Sequence, residues 1–485
     1  PFPFYVLLIF DPTVSSTMLF NSPVFLFFFL PIVLLINRLL NNKISNVFLL
    51  LASLSFYFYG EKLGLGILLT SILWNYSFGL LIDLSDNSHS KRKLFLGIGI
   101  LGNISILIYF KYAFFIADSF GLLGKTSFHF ENIILPLGIS FFSFQSISYL
   151  IDVFRQEVKA ERSPLKVGLF ISYFPQLIAG PIIKYKQIHE FIQFRKVETD
   201  DLREGLTRFI RGLAKKVILA DNFAIVADKI FSQDVEQLSS PVAWLGVLCY
   251  TLQIYFDFSA YSDMAIALGR MMGFKIPENF NYPYAAKSVK EFWRKWHISL
   301  SSWFKDYLYI PLGGNRKSGL RTMLNLITVF FLTGLWHGAS WNFVVWGLIH
   351  GLFLIIERYS TNWNINIPNY LRHAYLILFV SLSWVFFRTE NLDHSLHYFE
   401  RLFQFTGQGD NSVLIHLNPF FICILLVGLI FSSPMSSRIQ QKISETITSP
   451  LAAMILRMSF NFVLLIYTLS ELVSSNHQAF IYFKF

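Results

Sequence analysis

LGLGILLTSILWNYSFGLLI, residues 63–82, runs for twenty positions without a charged side chain. At 1.5 Å of rise per residue, a helix of about 20 residues matches the thickness of a bilayer's hydrocarbon core. Working outward, VFLFFFLPIVLLI (24–36) and LFLGIGILGNISILIYF (94–110) repeat the pattern. Across the 485 residues, 54% are hydrophobic and only 14% are charged, whereas a soluble domain carries about 25% charged residues. The mean hydropathy is +0.50. These runs predict an all-α polytopic membrane protein.

Candidate spans lie at 23–39, 46–60, 63–83, 94–116, 133–152, 165–180, 242–268, 322–336, 341–357, 371–388, 417–433 and 450–473, roughly eleven or twelve in all. With the N-terminus outside, Arg38, Lys43, Lys91, Arg92, Lys93, Arg155, Lys159 and Arg162 fall inside, against Lys62 and Lys125 outside. That bias favours an N-out orientation. The net charge of +10 has two readings that are compatible: Lys and Arg retained in cytoplasmic loops, or a basic cytoplasmic mouth for a phosphate-bearing donor or anionic lipid. Residues 184–220 are the longest polar interval. Within them Leu202, Leu206, Phe209, Ile210 and Leu213 oppose Arg203, Arg208, Arg211, Lys215 and Lys216, as in an amphipathic helix on the cytoplasmic surface or one packed over neighbouring spans. Met18 opens MLFNSPVFLFFFLPIVLL, and residues 1–17 read as a non-native or disordered extension. They carry Asp11 as their one charge, so they lack the basic start of a signal peptide.

Pro136–Leu137–Gly138, Gly180–Pro181 and Pro311–Leu312–Gly313–Gly314 interrupt apolar segments. Irregular backbone survives at membrane depth only where protein or a water-filled cavity satisfies its polar groups, so the breaks point to an interior cavity. No internal repeat is visible, which disfavours a secondary transporter. Cys249 and Cys423 lie far apart in apolar stretches and read as packing residues, and no spacing of ligands marks a metal site.

Two of the eleven histidines stand out. His337 lies in a segment, 323–356, without a charged residue, with Gly334 and Gly338 beside it and Trp336 and Trp341 as candidate cavity walls. It is either a histidine hydrogen-bonded inside a helix bundle or a functional group, because ionisable side chains at depth are enriched in function. A neutral imidazole can take a proton from an attacking hydroxyl and return it to a leaving group. His297 lies among tryptophans and cations. At helical spacing it shares a face with Trp293, Ser301 and Phe304. His350, thirteen residues past His337, would face away from it on an ideal helix and is given no role. Asp257 and Asp263 fall on different faces of one helix, so they are expected to partner Ser, Tyr or Arg groups separately.

The run EFWRKWHISLSSWFKDYLYIPLGGNR (291–316), followed by TGLWHGASWNFVVWGLIHG (333–351), closely resembles the membrane-bound O-acyltransferase (MBOAT) family. LPLGISFFSFQSISYLIDVFR (135–155), YFPQLIAGPIIKY (173–185) and FDFSAYSDMAIALGRMMGFKIPENFNYPY (256–284) extend the resemblance, as do the opening at Met18 and the ending FIYFKF. It covers residues 18–485 as a single membrane domain and is nearest to the bacterial branch that O-acetylates alginate. The resemblance implies a ring of tilted and broken helices around a central tunnel, with funnels from both faces. It makes the histidine of WHG, His337, the catalytic residue, and that of WHIS, His297, the second characteristic one. Trp296, Trp336, Trp341 and Asn342 become candidate tunnel residues.

It further implies no tightly bound cofactor. The donor is a thioester from acetyl-coenzyme A or an acyl carrier on the cytoplasmic side. The acceptor is a hydroxyl of an extracytoplasmic polysaccharide or of a relay protein. The expected location is a bacterial cytoplasmic membrane, in contact with lipid and not with nucleic acid. D-alanyl or fatty-acyl transfer within the same family is the alternative, and a transporter or channel is the alternative of another class.

Overall fold

The computed structural model of the chain describes residues 18–121, 133–360, 367–404, 413–447, 449–474 and 480–481. The extension read over 1–17 lies outside the described residues, as do Lys125 and His129. Among the described residues every regular element is a helix. Seven helices are long and apolar enough to cross a membrane: Gly64–Leu84, His89–Ser119, Ser240–Met271, Gly319–His337, Trp341–Ser360, Asn369–Arg388 and Pro450–Ser474. An eighth crossing would be the pair Pro419–Phe431 and Met435–Thr446, bent by 82° at its break.

The expected span 46–60 lies in one continuous helix, Asn42–Gly60, which is long enough but less apolar, and others are shorter or broken. Residues 165–180 divide into Pro164–Ser172 and Phe174–Leu177, because Pro175 cannot donate to a continuous helical ladder. The segment expected over 133–152 begins as a helix only at Ile139. The chain is an all-α polytopic membrane protein, and its described residues hold fewer full-length crossings than the eleven or twelve expected.

The chain divides into two compact units, residues 1–209 with 263–277, and residues 210–262 with 278–485. The first is organised on Ile139–Phe154, which packs against Gly64–Leu84 and His89–Ser119. Nearly every side chain of this helix is buried, including Ser140, Ser143, Gln145, Ser146, Ser148 and Asp152. The break before it is built rather than frayed. Gly138 takes φ +73°, a region open to glycine, and the Tyr57 hydroxyl donates to the Leu137 carbonyl at 2.9 Å. Arg208 does not point to solvent: its Nε and Nη2 donate to one Asp263 oxygen at 2.9 and 2.7 Å.

In the second unit Lys216 also departs from the basic face read from the sequence. Its ammonium is 2% exposed and lies 2.6 Å from Asp257 and 2.7 Å from Asp221. The other Asp257 oxygen accepts the Ile481 backbone N–H at 2.6 Å. An isolated charge at that depth would be costly, and pairing is what allows it. Asp263 thus finds the expected arginine, whereas Asp257 finds a lysine and a backbone amide.

Candidate active site

His337 ends one arm of a helical hairpin, Gly319–His337 and Trp341–Ser360, both within the second unit. Glycines set how close the arms come. A Cβ on Gly334 would collide with the Phe343 carbonyl, and one on Gly347 with the Phe330 carbonyl. The backbones therefore touch where small residues permit it, as is usual for helix pairs in membranes. Gly338 then leaves the helix in extended conformation (φ −162°, ψ 151°). The His337 imidazole is 2% exposed. Its ring centroid lies 5.0 Å from Trp336, 5.2 Å from Trp346 and 5.1 Å from Phe387.

His297 is held differently. Helical spacing predicted one helix through Trp293 and Phe304. Instead, Val289–Lys295 and Ile298–Phe304 are separate, and His297 joins them at φ 43°, ψ 55°. A left-handed conformation at a non-glycine residue costs about 1–3 kcal/mol and persists only where its surroundings impose it. Here Asn279 imposes it. Its Oδ1 accepts from the Ser299 N–H (3.2 Å) and hydroxyl (2.8 Å), and its carbonyl accepts from the Ile298 N–H (3.0 Å). The same Oδ1 lies 3.2 Å from His297 Nδ1, while Nδ2 donates to Ser262 Oγ at 3.0 Å.

The Ser299 N–H fixes which amide atom is the oxygen, so Nδ1 must donate and the Nε2 lone pair faces the interior. Burial pushes the His297 pKa down to about 3, so the ring is neutral at physiological pH. His297 packs against Phe258 at 4.6 Å and Trp336 at 5.8 Å. Trp336 therefore touches both imidazoles.

Asn279 lies in the PENFNYPY stretch but carries no local sign of its role. Asn279→Ala removes the oxygen that three groups share. The variant is expected to lose about 1–3 kcal/mol of stability and to slow turnover, which thermal unfolding and a transfer assay on the same preparation measure.

Of the candidate tunnel residues, Trp296 (0% exposed) packs against Trp384 at 5.0 Å. Asn342 is buried and donates to the Thr389 carbonyl at 2.9 Å. Trp341 is 53% exposed and is not an interior wall, because it opens its helix at the hairpin's turn. The Trp296 and Trp346 indole N–H groups and the Asn342 Oδ1 are buried without a hydrogen-bond partner. Such groups are costly unless something fills them. His350, given no role from its spacing, is fully buried with its ring 4.7 Å from Trp346. The spacing argument assumed one helix, but the turn at residues 338–340 puts His350 on the other arm.

A cavity of about 1780 Å³ opens beside this hairpin. Among the described residues its lining includes eight Lys and Arg side chains, among them Lys287, Arg294, Arg316 and Arg358, against Glu357 as the one carboxylate. At its inner end it reaches Trp293, Leu300, Ser301, Val329, Phe330 and Thr333. Val329, Thr333 and His337 are four residues apart along one helix and so share a face. Ser301 stands one turn beyond His297. The apolar end of a cationic cavity thus lies a helical turn from each histidine.

This arrangement has recognisable relatives. Residues 91–390 match the model of the MBOAT, membrane-bound O-acyltransferase family. A Pseudomonas putida protein named "Probable alginate O-acetylase AlgI" is 44% identical over 395 residues, covering 80% of this chain and 81% of its own. The peptidoglycan O-acetyltransferase of Helicobacter pylori is 36% identical over 530 aligned positions, covering 96% and 98%. The teichoic acid D-alanyltransferase of Bacillus subtilis is 30% identical over 249 residues, covering 48% and 62%. Two buried histidines at the end of a cationic cavity, in a helical membrane protein with these relatives, lead to one assignment: the chain belongs to the membrane-bound O-acyltransferase family and is an O-acyltransferase.

Proposed function

We propose that the protein carries an acetyl group from a thioester donor in the basic cavity to a hydroxyl of an extracytoplasmic polysaccharide, with His337 as general base. The observation that carries this reading is the row Val329–Thr333–His337, which runs from the cavity's inner end to the imidazole. The donor's phosphates would sit among the Lys and Arg side chains, since phosphate recognition favours such clusters. Four of the cavity's cations, Arg316, Lys317, Arg358 and Arg372, lie at or beside the ends of three spans. The positive-inside rule puts those ends in the cytoplasm, as for the N-out orientation of a bacterial cytoplasmic membrane protein.

In the step itself, His337 accepts the proton of the acceptor hydroxyl as its oxygen attacks the thioester carbonyl carbon. The tetrahedral intermediate collapses, the carbon–sulfur bond breaks, and the imidazolium returns the proton to the departing thiolate. The products are an ester and a free thiol. His297, neutral and fixed by Asn279, orients the donor through Nε2. The buried indole N–H groups of Trp346 and Trp296 are available to a carbonyl oxygen that develops charge. No tightly bound cofactor is required for this sequence of steps.

Acetyl is favoured over D-alanyl because the O-acetylating relatives match far more of the chain. A relay protein would serve as acceptor by the same chemistry. The test is incubation of the purified protein in liposomes with labelled acetyl-coenzyme A, an acetyl-loaded carrier protein, and alginate or peptidoglycan fragments. Ester-linked acetyl on a saccharide is expected. Label on no hydroxyl acceptor from either donor overturns the reading. Charge reversal at the mouth, Arg294→Glu with Arg316→Glu, is expected to raise the donor KM about tenfold or more with little change in kcat, as measured by thiol release.

A further inference from the structure

Between the cavity and His337 stands a wall of two indoles. Trp293 lines the cavity, its ring centroid is 5.7 Å from that of Trp346, and Trp346 is 5.2 Å from His337. Phe330, which also lines the cavity, is 5.1 Å from Trp293. What holds this wall is His350. The Trp293 Nε1–H donates to His350 Nδ1 at 3.2 Å, and His350 Nε2 lies 3.1 Å from Ser383 Oγ. The Ser383 hydroxyl in turn donates to the Val380 carbonyl at 2.7 Å.

An indole N–H can only donate, so Nδ1 presents its lone pair and the ring hydrogen sits on Nε2, donating to Ser383. Both nitrogens are thereby committed, so His350 is no base for a substrate. Its ring also packs on Trp346 at 4.7 Å and on Phe379 at 4.9 Å. It therefore ties Trp293 and Trp346 to the helix that carries Ser383.

We propose that Trp293 and Trp346 determine acyl size, leaving room at His337 for a two-carbon acyl group and excluding longer chains, and that His350 is the positioning residue that holds them. The proposal rests on the reading that the donor occupies the basic cavity. Physically, a rigid aromatic wall discriminates by volume. Each methylene that fails to fit is worth about tenfold or more in kcat/KM, and only if the wall cannot yield. A latch with every donor and acceptor satisfied keeps it from yielding.

The experiment compares acetyl-, butyryl- and octanoyl-coenzyme A by thiol release in the presence of alginate oligosaccharides, for the wild type, His350→Ala and Ser383→Ala. The wild type is expected to favour acetyl. His350→Ala should raise the octanoyl-to-acetyl ratio of kcat/KM about tenfold. Ser383→Ala removes one oxygen and leaves the wall's volume untouched, and it should shift the ratio in the same direction. If His350→Ala does not fold, Ser383→Ala decides. An unchanged ratio in the folded variants, or an equal loss for all three donors, overturns the proposal. A wild type that consumes none of the three acyl groups, offered as coenzyme A thioesters and as carrier-protein thioesters, overturns the cavity reading itself, and the proposal with it.

Discussion

His337→Ala retains its place in the membrane and loses acyl transfer by about a hundredfold to ten-thousandfold, the range for removing a general base. The loss should fall on kcat, because on the proposed route the imidazole acts on a proton that moves only as the hydroxyl attacks, while the donor would be bound by cations elsewhere in the cavity. Donor KM should stay within a few-fold. Because His337 is buried among three aromatic rings, Ala leaves a void, and some stability is lost as well. His337→Gln fills most of that void and should recover stability without activity. Thermal unfolding and thiol release, measured on all three proteins, separate the two effects. Substantial turnover in a folded His337→Ala protein would remove His337 from the mechanism.

The second large effect is expected from the hairpin glycines. Gly347→Val places a branched side chain where even a Cβ meets the Phe330 carbonyl. The carbonyl is backbone and cannot swing aside, so the arms must separate or slide. Overpacking a core typically costs about 1–3 kcal/mol, occasionally more. Here the displacement also moves Trp346 and His337 relative to each other. Misplacement of a reacting group by about 1 Å can cost a hundredfold in rate. A protein that unfolds several degrees lower and transfers acyl groups at a few per cent of the wild-type rate is the expected result. Gly66→Ala is the matched control, since nothing lies within 4 Å of a Cβ there. Equal behaviour of Gly347→Val and Gly66→Ala would show that close approach of the arms is dispensable.

The membrane character was legible in the sequence for physical reasons, and so was the candidacy of His337. Hydropathy integrates over many residues, and WHG lies in a long uncharged segment where an ionisable group is conspicuous. What stayed hidden was set by single backbone torsions and distant partners. EFWRKWHISLSSWF has ordinary helical periodicity, and Asn279, eighteen positions earlier, holds the chain where it turns left-handed at His297. Lys216 reads as one more cation on a basic face, yet a π-helical turn over Lys215–Ala220 lies where its ammonium meets Asp257 and Asp221. His350 was placed by assuming a continuous helix through Gly338, and Trp341 by its nearness to His337 in the sequence. The turn there sends Trp341 outward and brings His350 into the wall.

The cationic mouth has one more consequence, concerning where selectivity is exercised. Fixed charges near water are screened over about 8 Å at physiological ionic strength, whereas the buried ring of His337 lies beyond the reach of mobile ions. Capture of a multiply charged donor should therefore weaken as salt rises, while the bond-making step behind it stays indifferent. Anionic headgroups in the surrounding leaflet would compete for the same side chains. On the proposed donor route, lipid composition and ionic strength would govern supply at the door and leave the chemistry behind it untouched.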